Sequence, residues 1–277
     1  MPCILPPVTI SVVIITYNEE ANLANTLESV QSLVGEGKGE IIVVDSGSTD
    51  STVEIARSFG AKVFIEEWKG YAAQKNSAIA KATGDWILSL DADEEVTAEL
   101  AREIASLFSS ASKPSGVFIP RKNFFLGRWI KHGGFWPDPK LRLFEKNSGR
   151  FQETAVHETV QLTGLTQTSV AAILHHSYPT LSDYIEHMNR YSSLGAEMAV
   201  AKGYRGFSVI NIIVRPLLTF VYNYFFRLGF LDGREGLLLH LYHAVYVSWK
   251  YAKAWEQGRG ETLRSKVSAD AQKRSSL

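Results

Sequence analysis

Four times within its first hundred residues the chain sets an unbroken apolar run, rich in β-branched side chains, ahead of a stretch whose apolar residues recur every three or four positions. "TISVVIITYN" precedes "EEANLANTLESVQSLV", where Leu23, Leu27, Val30 and Val34 keep helical spacing; "EIIVVD" precedes "STDSTVEIARSFG". "AKVFIEEW" precedes "GYAAQKNSAIAKATG", and "DWILSLDAD" precedes a helix with Val96, Leu100, Ile104 and Leu107 on one face. Strands without polar alternation are buried on both faces, which predicts an α/β fold, a mainly parallel sheet covered by helices on either side. Ser48 or Thr49 is expected to cap the second helix, with Gly60 and Gly84 as stops.

In such sheets ligands gather outside the carboxyl ends of the strands. Here those ends read Thr16-Tyr17-Asn18-Glu19, Asp45-Ser46-Gly47-Ser48 and Asp91-Ala92-Asp93. No G-x-G-x-x-G follows the first strand and no G-x-x-x-x-G-K-[ST] occurs anywhere, so the glycine fingerprint of a nicotinamide oxidoreductase and the P-loop are both missing. A phosphate ligand meeting a rim of carboxylates has to arrive with a divalent cation.

The overall charge is zero, which argues against nucleic acid as the main partner. That zero hides a division: residues 1–100 hold 6 Lys/Arg against 16 Asp/Glu, and the remainder holds 23 against 13. Residues 121–150 alone carry eight basic and two acidic side chains interleaved with Phe and Trp, a composition suited to an anionic ligand or a membrane surface. The single Cys3 cannot form an internal disulfide, and the first residues lack the basic flank and apolar core of a secretory signal. A reducing, cytoplasmic location is expected.

Beyond the linker "SSASKPSG", "VFIP" and "KLRLFE" read as further strands. A helix is predicted from Thr180, with Leu181, Tyr184, Ile185, Met188 and Tyr191 on one face. The later runs "FSVINIIV" and "PLLTFVYNYFF" are cut by Arg215 and Arg227, short of the roughly 20 apolar residues that span a bilayer. They predict helices lying on a membrane or a buried helical subdomain. The expected layout is a catalytic domain over 1–178, its halves 1–110 and 111–178, then a helical region over 179–257 and a flexible tail over 258–277.

The ordered set "SVVIITYNEE", "IIVVDSGSTDST", "KNSAIAKATGDWILSLDADE", "FWPDPKLRLF" and "VHETV" resembles family 2 glycosyltransferases of the GT-A fold, in particular the lipopolysaccharide-core type of β-glucosyltransferase, with a weaker likeness in "GFLDGREG". The resemblance implies a Rossmann-like GT-A domain plus a C-terminal helical region. It also implies an inverting, metal-dependent transfer of a hexose, glucose from UDP-glucose, to a lipopolysaccharide-core or lipid-linked acceptor, by an enzyme peripheral to the cytoplasmic face of the inner membrane. Other donors, such as a UDP-N-acetylhexosamine or ADP-heptose, and a non-catalytic nucleotide-sugar binding protein are the alternatives.

Residue by residue, the likeness makes Asp93 a ligand of Mg²⁺ or Mn²⁺, with Asp91 toward the ribose or metal-bound waters and Ala92 between them. Thr16, Asn18 and Glu19 become the rim around the nucleotide, and Asp45 a contact to base or ribose, or else the cap of its own turn. Lys75 and Asn76 are expected near the nucleotide, the lysine facing solvent in the alternative. On the acceptor side Trp136 offers a flat surface to a sugar ring, and Arg142 shapes the site or pairs with a phosphate. Many members of the family it resembles have Glu-Asp where this chain has His157-Glu158: Glu158 is the expected general base, His157 orients it or serves itself, and Asp138 is the rival. One of His175 and His176 is expected either near the metal or satisfied within the core.

Overall fold

A computed structural model of the protein describes residues 8–35, 37–110, 112–152 and 159–275, with side chains through 259. The chain divides into two compact units, one of residues 1–124 and 136–177, the other of 125–135 and 178–277.

The first unit follows the predicted alternation: β1 (Ile10–Thr16), α1 (Leu23–Ser29), α2 (Gln31–Val34), β2 (Gly39–Asp45), α3 (Thr52–Ser58), β3 (Lys62–Ile65), α4 (Tyr71–Lys81) and β4 (Trp86–Asp91). Then come β5 (Glu94–Val96), α5 (Ala98–Ser109), β6 (Gly116–Ile119) and β7 (Arg121–Phe125). The two-residue β8 (Arg128–Trp129) belongs to the second unit; β9 (Lys140–Glu145), β10 (Gly149–Gln152), β11 (Thr159–Leu162), β12 (Thr166–Thr168) and β13 (Ile173–Tyr178) follow. The main sheet runs β12-β6-β9-β4-β1-β2-β3, parallel throughout except for β9, which lies antiparallel to both neighbours.

Successive residues of β1 serve opposite faces. Ile10, Val12 and Ile14 pack with Leu23, Leu27, Leu100 and Ile104 on one side, and Val13 packs with Ile42, Ala78 and Ile79 of the other. This double burial is why β1, β2 and β4 carry no polar alternation, whereas β3 at the sheet edge departs from the expectation and is largely exposed, Ile65 at 62%.

Two local expectations give way. The α3 helix starts at Thr52 rather than after Ser48 or Thr49, because the Ser48 hydroxyl is bonded to Asp45. The α4 helix ends at Lys81, before Gly84. That glycine serves a close approach instead: a Cβ there would sit 2.8 Å from Ile10 C and from Ser11 N.

In the second unit α6 (Leu181–Ala201) opens on Thr180 with a reciprocal capping box to Asp183. Its Ala196, Ala199 and Val200 pack against Val247, Tyr251 and Ala254 of α8 (Gly233–Ser275), small residues allowing close contact. Between them lie α7 (Arg215–Val221), flanked by π-helical turns, and a 3₁₀ turn over Gly229–Asp232. Residues 125–135, which the sequence places with the acceptor half, fold here because Asp232 accepts from the N–H groups of Lys131 (3.2 Å) and His132 (2.8 Å) and meets His132 Nδ1 at 2.9 Å. The helix α8 runs on through the stretch expected to be a tail.

Candidate active site

The carboxyl ends of β1, β2 and β4 meet at one edge of the first unit, where β1 pairs with both neighbours in parallel register, Thr16 opposite Asp45 and Ile15 opposite Asp91. Asp45 is fully buried. One of its oxygens accepts from the N–H of Gly47 and Ser48, at 2.9 and 2.8 Å, and the other from Thr16 Oγ1 at 2.9 Å and Ser48 Oγ at 2.5 Å. Four donors fill the four acceptor positions of one carboxylate, so Asp45 shapes the loop that follows it. Asn18 adopts φ 54° and its Oδ1 accepts from Thr49 N at 2.8 Å, joining the first loop to the second. The Glu19 carboxyl is pushed up by burial, opposed by a hydrogen bond from Asn22 and reinforced by the charges of Asp93, Asp50 and Asp91.

Around the end of β4 an alternating chain of charges forms: Lys75, Asp91, Arg142, Glu94, Arg121, Asp138, Lys140. Lys75 Nζ lies 2.8 Å from Asp91 Oδ1, and Arg142 Nη2 bonds Asp91 Oδ2 and sits 2.5 Å from Glu94 Oε1. Arg121 reaches Glu94 Oε1 at 3.2 Å and Asp138 Oδ2 at 2.6 Å, and Lys140 closes on Asp138 Oδ1 at 2.9 Å. Arg121 Nε at 3.1 Å and Asn123 Nδ2 at 3.2 Å bring the donors to Asp138 to four. Burial alone would raise the Asp91 and Asp138 carboxyls; Arg142 and Lys75 hold the first well below the usual carboxylate range, and Arg121 and Lys140 lower the second. For Arg142, the charges of Asp91 and Glu94 outweigh burial and raise its pKa.

The basic stretch over 121–150 thus answers the acidic first hundred residues from within. Its Arg121 and Arg142 are counter-ions of Glu94 and Asp91 rather than a free anion-binding face. Glu94, fully buried and also accepting from Asp91 N at 3.0 Å, is a site residue that the sequence reading passed over, as are Arg121 and Asn123. The signal for Glu94 was present in "DADE"; an acid on an otherwise buried strand needs cations. Those cations came from segments distant in sequence.

Asp93 stands beside this chain rather than in it. β13 pairs antiparallel with β5, His175 opposite Glu94, and His176 N donates to Asp93 O at 3.0 Å. The register brings His175 Nε2 to 3.3 Å from Asp93 Oδ2. Burial would raise the Asp93 carboxyl, and His175 more than offsets this, leaving it lowered. The other ring nitrogen, Nδ1, faces Asn123 Oδ1 at 2.7 Å and Ser177 Oγ at 2.8 Å. With the Asn123 amide donating through Nδ2 to Asp138, its oxygen accepts from Nδ1 and turns Nε2 toward Asp93, to which it donates in the absence of a cation. An oxygen and an imidazole nitrogen converging in this way suit a divalent cation that takes its remaining ligands from phosphate and water. Among the described residues no group of three or more His, Cys, Asp or Glu is placed to hold an ion.

The other expected residues take varied positions. Lys75 is buried, not solvent-facing. Asn76 clasps a strand backbone, its Nδ2 donating to Phe151 O at 2.8 Å and its Oδ1 accepting from Phe151 N at 3.0 Å. The Ala92 carbonyl accepts from Thr26 Oγ1 at 2.6 Å. Trp136 is half-buried beside Asp138, whose φ is 42°. His157 and Glu158 lie outside the described residues.

The glycosyl transferase family 2 model matches residues 11–163. An uncharacterized glycosyltransferase of Rickettsia typhi is 33% identical over 240 residues, 83% of this chain and 80% of its own length. The lipopolysaccharide core biosynthesis glycosyltransferase LpsC of Rhizobium meliloti is 28% identical over 260 residues, covering 91% and 94%. In fold the chain is similar to the mannosyltransferase PcManGT of Pyrobaculum calidifontis, solved with GDP-Man and Mn²⁺, with a TM-score of 0.53 at 16% identity over 88% of this chain and 86% of that one.

Proposed function

The chain belongs to glycosyl transferase family 2, and we propose that it is an inverting hexosyltransferase carrying glucose from UDP-glucose to a lipopolysaccharide-core or other lipid-linked acceptor at the cytoplasmic face of the inner membrane. The observation that carries this reading is the contrast between the two aspartates of "DAD". Asp91 has each oxygen held by a protein cation, whereas Asp93 is left with the imidazole of His175. A donor that brings phosphates and a divalent cation completes the second and not the first.

In this reading Asp93 and His175 hold Mg²⁺ or Mn²⁺, which supplies electrostatic stabilisation to the departing diphosphate. Lys75 and Arg142 fix Asp91, whose side chain remains 32% exposed, toward the ribose. The Asn18 and Glu19 loop borders the nucleotide, together with Thr16 and the turn that Asp45 organises. Displacement with inversion needs a base on the acceptor side, and that role falls to Glu158, with His157 beside it. Asp138 is the weaker choice, because four donors occupy it and its carboxyl is lowered. Trp136 offers its ring to the acceptor sugar.

A panel of UDP-glucose, UDP-N-acetylhexosamines, GDP-mannose and ADP-heptose, each with and without Mn²⁺, tests the reading by thermal stabilisation followed by turnover with the best binder. UDP-glucose is expected to give the largest metal-dependent shift. A larger shift with another donor moves the specificity, and binding without transfer to any glycolipid acceptor overturns the catalytic assignment.

A further inference from the structure

The second unit carries an outward face of unusual polarity. From Ile210 to Phe226 the backbone follows one helical path, π-helical over Ile210–Val214 and Tyr222–Phe226 and α-helical over Arg215–Val221. Its inward side is accounted for: Pro216 is buried, Ile212 packs against the cluster of Ala196, Val247 and Tyr251, and the Ile212 carbonyl accepts from Ser248 Oγ at 2.8 Å. On the other side Ile210, Ile213, Leu217, Leu218, Phe225 and Phe226 are between 53% and 76% exposed. They recur at helical spacing, so the solvent-facing stripe is as apolar as the packed one. Helices apolar all round occur where protein or lipid covers them, and contiguous exposed apolar surface marks an interaction site.

The segment that bears this stripe carries exposed charges of one sign. Between Met198 and Arg234 the sequence contains one acidic residue, Asp232, which is buried and bonded to His132 and Lys131. Lys202, Arg205, Arg215, Arg227 and Arg234 are all exposed.

We propose that the face formed by residues 207–231 docks the protein on an anionic lipid surface. The aliphatic and aromatic side chains enter the headgroup boundary and the flanking cations meet lipid phosphates. The charge pattern selects lipid over a second copy of the chain, since a two-fold contact between identical faces would set like charges against each other. Among the described residues no helix is long and apolar enough to cross a membrane, so the contact lies along the surface. The inference gives the membrane part of the proposed function a place on the chain. It rests on that reading for the acceptor alone, because docking needs neither donor nor transfer.

The test sediments the full chain with vesicles of phosphatidylcholine and of phosphatidylcholine mixed with phosphatidylglycerol, with no nucleotide sugar present. Capture by the anionic vesicles, weakened by salt, is expected. In a Leu218→Ser, Phe226→Ser double variant it drops by about ten-fold or more, with the circular-dichroism melt unchanged because both side chains face solvent. No capture of the parent by anionic vesicles, or equal capture of parent and variant, overturns the proposal. So does a concentration-dependent dimer that the variant dissolves while vesicles capture neither. Vesicle capture alongside failed sugar transfer leaves the docking face standing and removes the reaction.

Discussion

Lys75 sets its ammonium 2.8 Å from Oδ1 of Asp91, with the lysine side chain 7% exposed. The lysine comes from α4 and the aspartate from the end of β4, so an ion pair fixes the helix against the strand edge where the donor is proposed to bind. Lys75→Met keeps the aliphatic stem and removes the charge. Breaking a buried pair is costly, and the partial exposure of Asp91 moderates it, so a loss of about 1–3 kcal/mol is expected in urea denaturation at pH 7. UDP-glucose binding should weaken in parallel; a variant as stable as the parent removes the pair from the account of the site.

Glu40 gives a testable dependence on acid. Burial would raise it, but Lys62, the Thr83 N–H and hydroxyl, and Ser11 Oγ bring its pKa down to about 2. A folded value below the unfolded one means stability that is complete above roughly pH 4.5 and is lost as pH falls toward about 2. Glu40→Gln is expected to cost about 1–2 kcal/mol at pH 7, discounted because Lys62 is solvent-exposed. Denaturant titrations at pH 7 and pH 2.5 check this: the gap between parent and variant should narrow sharply in acid.

His175 and Asp93 are expected to fail together. Asp93→Asn should abolish metal-dependent turnover, and His175→Gln should raise the Mn²⁺ concentration needed for half-maximal activity by about ten-fold. A Mn²⁺ titration with UDP-glucose, with a chelator control, reads both. Full activity in excess chelator refutes the cation assignment.

The base assignment sets Glu158 against Asp138, whose carboxylate already has its donors in place. Glu158→Gln should leave UDP-sugar binding intact and lower turnover by roughly 10²-fold or more, the scale of lost acid–base catalysis. Asp138→Asn should chiefly affect stability, since it leaves Arg121 and Lys140 short of a counter-charge. Near-normal transfer by Glu158→Gln, with Asp138→Asn inactive yet still binding donor, reverses the roles.

What the sequence made legible was local. Apolar runs marked β1, β2 and β4, Thr180 announced α6, and the strand ends carrying Thr16, Asp45 and Asp91 do lie side by side. What it concealed was pairing across long separations. Lys75 reads as a helix-surface lysine until α4 is laid on β1 and β2 and the lysine reaches Asp91, and Arg142 reads as part of a basic patch until β9 runs antiparallel to β4, with Leu88 opposite Leu143. Residues 125–135 read as acceptor loop because the Asp232 that holds them lies about a hundred positions away. Ser48 illustrates competition, a good capping residue already committed to Asp45.

Lys75 and Asn76 are neighbours on α4, yet one grips the strand bearing "DAD" and the other grips the backbone of Phe151 in β10. Residues 153–158, with the expected base at their end, continue directly from β10. A single helical turn is therefore the common datum from which the strand bearing "DAD" and the strand β10 are both set. Inserting or deleting one residue in α4 would shift the two settings at once, so Lys75 and Asn76 also act as a spacer between the two strands.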